Sequence, residues 1–287
     1  MRVHQCLGAA RGGDVSQKGS NWRTKETGPS DHDTRGKTAH QRLRRLDQFL
    51  MALDPARLRQ PGVVVDLGYG RVPITTVEWF RRLRVPYPTV RMVGIERDAD
   101  RVDAAQPMAE PGMVFRKGDF QLPMTNDEPV LLIRAMNVLR QYEQAAALAA
   151  HEQLLAQMAD GGLLAEGTCD PPGRTMVVQI LRRISEGKTA SEGLLFARSF
   201  HGEFDPRSFQ AVLPKHLIHR MEPGEPIAEF FSAWCRAAAR TRSVSEFGQK
   251  QFFVAAAEAL ACEVDGVETR RAWLRNGWLF WRGAPYP

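Results

Sequence analysis

Cysteine is scarce in this 287-residue chain. Only Cys6, Cys169, Cys235 and Cys262 occur, and they lie far apart. No C-x-x-C pair is present, and the seven histidines show no H-E-x-x-H or related spacing. The sequence therefore lacks a disulfide framework and a spaced metal-ligand motif, and no metal is expected. No apolar run reaches the roughly 18 residues that a membrane-spanning helix needs. The opening residues Met1 to Cys6 lack the apolar stretch of a secretory signal. These absences lead to the expectation of a cytoplasmic chain with free thiols and no membrane partner.

Charge is also unevenly spread. The net formal charge is +6, and residues 1–47 alone hold ten Lys/Arg against five Asp/Glu. The remainder is nearly neutral, so the arithmetic does not demand a nucleic-acid groove. Residues 1–37 are rich in Gly, Ser, Thr, Asp, Lys and Arg with scattered apolar residues. Such a segment cannot bury enough surface to offset its ordering entropy, and it reads as a flexible basic tail. Nucleic acid is a candidate partner through this tail.

Beyond the tail, helix and strand patterns alternate. Leu43, Leu46, Phe49 and Leu53 recur at helical steps from about Thr38. Val63 to Leu67 is a β-branched strand ending in Gly68-Tyr69-Gly70, and Pro73 opens a helix with Val77, Phe80 and Leu83 on one face. Further strands are read at 90–96, 113–119, 129–135 and 163–166. A long helix before the last of these is expected to bury Ala145, Leu148, Leu155 and Met158 and to end at Gly161-Gly162. This alternation predicts a doubly wound, mostly parallel α/β sheet with helices on both faces. After Thr168 the pattern changes. Residues 176–181 and 194–198 read as an antiparallel closing pair. Pro226 opens a helix with an Ile227, Phe230, Phe231, Trp234 core stripe, and Ser243-x-x-Glu246 reads as a capping box. Trp278 to Trp281 reads as a terminal strand. The expected division is a tail over 1–37, an α/β core over 38–168, and closing strands with a helical accessory region over 169–287.

The chemistry concentrates at three strand ends. Asp66-Leu67-Gly68-Tyr69-Gly70 turns a strand into a helix with bare backbone that a ligand can approach. Glu96 ends the second strand, where an acid can accept from ribose hydroxyls. Asp119 ends the third, with Phe120 available to an adenine ring. A dinucleotide fingerprint needs a third glycine, but Pro73 occupies that position and lacks an N–H for phosphate. Asp66 would repel pyrophosphate and attract an ammonium group. The pattern favours a phosphate-free adenosine compound bearing an amine.

On these residues the sequence resembles the class I S-adenosylmethionine-dependent methyltransferases over about residues 60–168, a Rossmann-like fold. Asp66-Leu67-Gly68-Tyr69-Gly70 matches their first motif, Glu96 the ribose acid and Asp119 the adenine-side residue. Arg134 to Tyr142 lies where the fourth motif lines cofactor and substrate. With Asn137 to Tyr142 and Glu166 to Cys169, the chain looks like a bacterial branch of that superfamily. The resemblance implies S-adenosylmethionine as cofactor and S-adenosylhomocysteine as product. It implies Asp66, Gly68, Tyr69, Gly70, Glu96, Arg97, Asp119, Phe120, Arg134 and Asn137 as cofactor residues, and a small-molecule acceptor. Tyr142, Glu166 and His201 are the candidate general bases near the predicted mouth. Arg134 and Arg140 are candidates for an acidic substrate group, whereas His216 and His219 read as structural or solvated. Two alternatives stay open: a nicotinamide-dependent oxidoreductase, and a non-catalytic nucleotide- or RNA-binding protein.

Overall fold

The structure is a computed structural model and describes residues 39–125 and 128–286. The basic tail expected over 1–37 lies outside the described residues.

Eight strands form one sheet: β1 (Val63–Leu67), β2 (Arg91–Glu96), β3 (Met113–Lys117), β4 (Val130–Met136), β5 (Met158–Cys169), β6 (Thr175–Arg183), β7 (Thr189–Arg198) and β8 (Trp278–Arg282). Their order is β3-β2-β1-β4-β5-β6-β7-β8. The first five run parallel, with β1 between β2 and β4. The last three strands extend the sheet antiparallel.

The sheet is thus mixed rather than mostly parallel, and the connections explain why. A parallel crossover needs a dozen or more residues. Only Asp170-Pro171-Pro172-Gly173-Arg174 separates β5 from β6, so the chain must turn back on itself. Asp170 closes that turn by accepting from the amides of Arg174 (2.6 Å) and Thr175 (3.1 Å). Gly173 stands at φ +70°, and a Cβ there would lie 1.9 Å from the Arg42 carbonyl oxygen. A glycine is therefore required where the turn meets the start of the described chain.

Helices cover both faces. On one lie α1 (Arg44–Leu53), α2 (Ile74–Leu83) and α3 (Ala99–Ala105), burying Leu46, Phe49, Trp79, Phe80 and Val102 against Val64, Met92 and Leu132. On the other, α4 (Gln144–Ala156) packs Leu154 and Leu155 against Val65, Ile133 and Leu164. Successive strand residues point to opposite faces, and each face is covered, so the strands read as continuous apolar runs. The face expected for α4 is corrected. Ala147, Ala150, His151, Leu154 and Leu155 are the buried residues, Ala145 is exposed, and Met158 already belongs to β5.

After β7 come α5 (Lys215–Ile218), α6 (Pro226–Arg240), α7 (Gln249–Ala261) and α8 (Arg271–Arg275). Phe230, Phe231 and Trp234 of α6 are core residues, packed with Phe196 of β7 and Phe253 of α7. The capping box at Ser243 and Glu246 does not form. Those residues lie in a 3-10 turn, and α7 starts after Gly248, which takes φ +112°. Among the described residues no helix is long and apolar enough to cross a membrane.

Candidate functional site

In an open α/β sheet the natural ligand crevice lies beyond the carboxyl ends of the strands, where the strand order reverses. Here the order reverses between β1 and β4. Gly68, just past β1, adopts φ +72°, and a Cβ on it would sit 2.6 Å from Cγ2 of Val138. The bare backbone lets the loops after β1 and β4 close on each other. Gly70, at φ +78°, donates its amide to Oε2 of Glu96 (2.8 Å). Oε1 of Glu96 accepts from the Arg97 amide (2.9 Å). The end of β2 thereby fixes the glycine turn.

Asn137, just past β4, is one of two described non-glycine residues with positive φ, at +61°. Asparagine tolerates this region better than most residues. Its amide donates to the Gly167 carbonyl (2.8 Å), and its Oδ1 accepts from the Cys169 amide (2.9 Å). Cys169 Sγ also accepts from Nε of Arg42 (3.3 Å). Burial raises the Cys169 thiol above its ordinary range, outweighing Arg42 and Asn137. Gly68, Gly70, Glu96, Asn137 and Cys169 thus form a continuous rim over the ends of β1, β2, β4 and β5.

Beneath the rim lies a buried ion-pair network. Arg134 is fully buried and donates from Nε and Nη2 to the two oxygens of Asp66 (2.8 and 2.7 Å). Thr76 Oγ1 also donates to Asp66 (2.6 Å). Arg134 further binds Asp47 of α1 and the Thr75 carbonyl, and its guanidinium lies 4.2 Å from the Trp79 ring centre. Arg82 makes a second ion pair to Asp47. Burial lowers the pKa of Arg134, but Asp66 and Asp47 outweigh it and hold the guanidinium more firmly charged than usual.

Two expectations are therefore corrected. Asp66 does not offer an accessible carboxylate to an ammonium group, because it is buried at 3% exposure with Arg134 and Thr76 donating to it. Arg134 cannot line a cofactor or bind a substrate acid, because it is sealed under the turn. Tyr69 is a third correction. Its ring is buried against Phe115, with centres 5.3 Å apart, so only the backbone of Tyr69 is left to line the turn.

Of the remaining candidates, Arg97 is exposed beside Glu96. Asp119 is exposed at the end of β3, and its Oδ1 accepts from the Gln121 amide (2.9 Å). Asp119 thus differs in exposure from Asp66 and Glu96, which are both buried. Phe120 is half-buried and meets Tyr142 edge-on at 5.3 Å. Arg140 is exposed and donates to the Ala211 carbonyl (2.8 Å). His201 is exposed after β7. Glu166 is a fourth correction. It is 1% exposed and faces His151 of α4, on the sheet face opposite the Asp66 network, so it cannot serve at the mouth.

The sequence reading missed Asp47, His151 and Arg42. Asp47 and His151 carried a signal, since each is a polar residue on an otherwise apolar helix face. The Arg42 and Cys169 contacts, 127 residues apart, carried none.

No family model matches the chain, and no curated protein matches it. Solved structures are similar to parts of it. One is the plantazolicin methyltransferase BamL in complex with a triazolic desmethylPZN analog and SAH. It is 15% identical, with 45% of this chain and 47% of that one covered and a TM-score of 0.35. Another is a SAM-bound amino pentose methyltransferase from Micromonospora echinaspora, at 18% identity, 57% and 72% coverage and a TM-score of 0.35. A third is magnesium protoporphyrin IX methyltransferase from Synechocystis PCC 6803 with bound SAM, at 19% identity, 45% and 58% coverage and a TM-score of 0.34. The chain spans about half the length of the solved structures it matches first.

Proposed function

We propose that the chain binds S-adenosylmethionine at this rim and directs its methyl group to a small-molecule acceptor. The observation that carries the reading is the Gly68-Tyr69-Gly70 turn at the β1/β4 reversal, with its Gly70 amide fastened to Glu96. Glu96 Oε2 accepts one backbone N–H and retains acceptor capacity for a ribose hydroxyl. In this reading Asp119 and Phe120 serve the adenine end, and the backbone of Gly68, Gly70 and Asn137 lines the crevice. The residues fit the nucleoside half of the cofactor. Asp66 takes no part in holding the amino group.

The bound cofactor supplies an electrophilic methyl carbon on a sulfonium. The chain's own task is to align the acceptor and exclude water. No general base is assigned. Tyr142 packs on Phe120, Glu166 is buried on the far side of the sheet, and His201 stands in solvent.

Thermal melting with S-adenosylmethionine, S-adenosylhomocysteine and NADH tests the reading. Ligand at a hundred times its Kd stabilises by about 2.7 kcal/mol. For a chain of this size that is a rise of about 5–10 °C. The first two compounds should give it and NADH should not. Stabilisation by NADH alone contradicts the proposal.

The engagement of Asp66 by Arg134 favours one other reading, a binding protein that holds an adenosine without transferring a methyl group. Adenosine would then stabilise the chain as strongly as S-adenosylmethionine, and labelled methyl would reach no acceptor in a small-molecule extract.

A further inference from the structure

Three side chains from distant parts of the sequence converge on the α4 face of the sheet: His151 from α4, Glu166 from β5 and His216 from α5. All three are at most 1% exposed. One ligand atom from each lies within 4.8 Å of the other two. We propose that His151, Glu166 and His216 bind a divalent first-row metal ion, zinc in preference, which fastens α5 to the sheet.

The first support is an unmet need for partners. Both oxygens of Glu166, Nε2 of His151 and both ring nitrogens of His216 are buried and lack hydrogen bonds. Gln179, directly across the β5–β6 ladder from Glu166, also has a buried Oε1 without a partner. Cross-strand partners share a face. Leaving so many polar atoms unsatisfied, a carboxylate among them, is costly, and native interiors rarely do so. No Lys or Arg among the described residues pairs with Glu166. A divalent cation would neutralise the carboxylate and use the imidazole lone pairs together.

The second support is geometric. His151 Nε2 and Glu166 Oε2 are 3.4 Å apart yet are not aligned as a hydrogen bond. Two ligand atoms at about 2.1 Å from one tetrahedral zinc are separated by roughly 3.4 Å.

The third support is the outer shell. His151 Nδ1 lies 3.0 Å from the Tyr286 hydroxyl. A proton on Nδ1, donated to that oxygen, leaves the Nε2 lone pair directed toward Glu166. This is how an outer partner orients a metal-bound histidine. Two imidazoles with one carboxylate suit zinc and its first-row neighbours, not magnesium or calcium.

The test uses the untagged full-length chain, purified without chelator. Elemental analysis should find about one equivalent of zinc per chain. After chelator treatment, added Zn2+ should raise the melting temperature, and Co2+ should give the visible absorption bands of a tetrahedral nitrogen and oxygen site. Glu166→Gln and His216→Gln should lose all three signals. His219→Gln, at an exposed neighbour, should keep them. Tyr286→Phe should retain the metal with an affinity lowered about 10–100-fold. A chain that carries no metal and responds to neither ion overturns the proposal, as do folded Glu166 and His216 variants that bind like the parent. Should those variants not fold, the cobalt spectrum of the unsubstituted chain decides, and absent bands refute the site.

Discussion

Two buried polar assemblies flank the centre of the sheet, one on each face, and they differ in completeness. Arg134 pairs in register with Ala165, and the next pair along is Ala135 with Glu166. Arg134 and Glu166 are therefore close along the sheet but point to opposite sides. Around Arg134 each carboxylate meets a guanidinium, and Thr76 adds a further donor. Around Glu166 the carboxylate and imidazole atoms face one another with few hydrogen bonds. The contrast teaches what a buried charge means. A closed network joins α1, α2, β1 and β4 beneath the glycine turn, with each carboxylate facing a guanidinium. An open one needs something from outside.

Removing one member of each assembly should therefore give opposite signs. Arg134→Met strands Asp47 and Asp66 without their shared cation. Urea unfolding should show a loss of about 3–5 kcal/mol, the cost of breaking a buried pair from one side. A loss below about 1 kcal/mol would mean that the network is not closed as described. Glu166→Gln, measured in chelator-treated protein, removes a buried carboxyl group whose oxygens have no hydrogen-bond partner. It should stabilise the chain by about 1–3 kcal/mol. Zinc should reverse the order by stabilising only the parent. A destabilised Glu166→Gln in chelator would show that the carboxylate already has a partner.

Glu128 provides the mildest test, away from both assemblies. Hydrogen bonds from Arg116 hold its carboxyl down at about 2, below the ordinary 4.5, against a smaller opposing effect of burial. Its folded pKa is depressed, so its contribution is complete above about pH 4.5 and fades as pH falls toward 2. The stability gap between the parent and Glu128→Gln should close over that interval. A gap independent of pH would contradict the pairing.

Much of the fold was legible because strand composition and helix periodicity report burial directly. Val63 to Leu67 and the α6 stripe announced themselves this way. The glycine turn and Glu96 were legible because a tight strand-to-helix turn constrains the residue type. The direction of β6 turned on a short Asp-Pro-Pro-Gly connection, whose length alone forbids a crossover. Asp66 misled because its place in the motif says nothing of Arg134, 68 residues away, which occupies it. The histidine and glutamate cluster was invisible to any spacing rule. His151, Glu166 and His216 are brought together only by the packing of α4, β5 and α5.

The central claim is that the rim fixed by Glu96 holds the nucleoside of S-adenosylmethionine. Calorimetric titration of S-adenosylhomocysteine into the parent and into Glu96→Ala, both checked for native melting, tests it most directly. The account predicts saturable one-site binding to the parent and none to the variant at the same concentrations. Equal binding by both, or no binding by the parent, would contradict it.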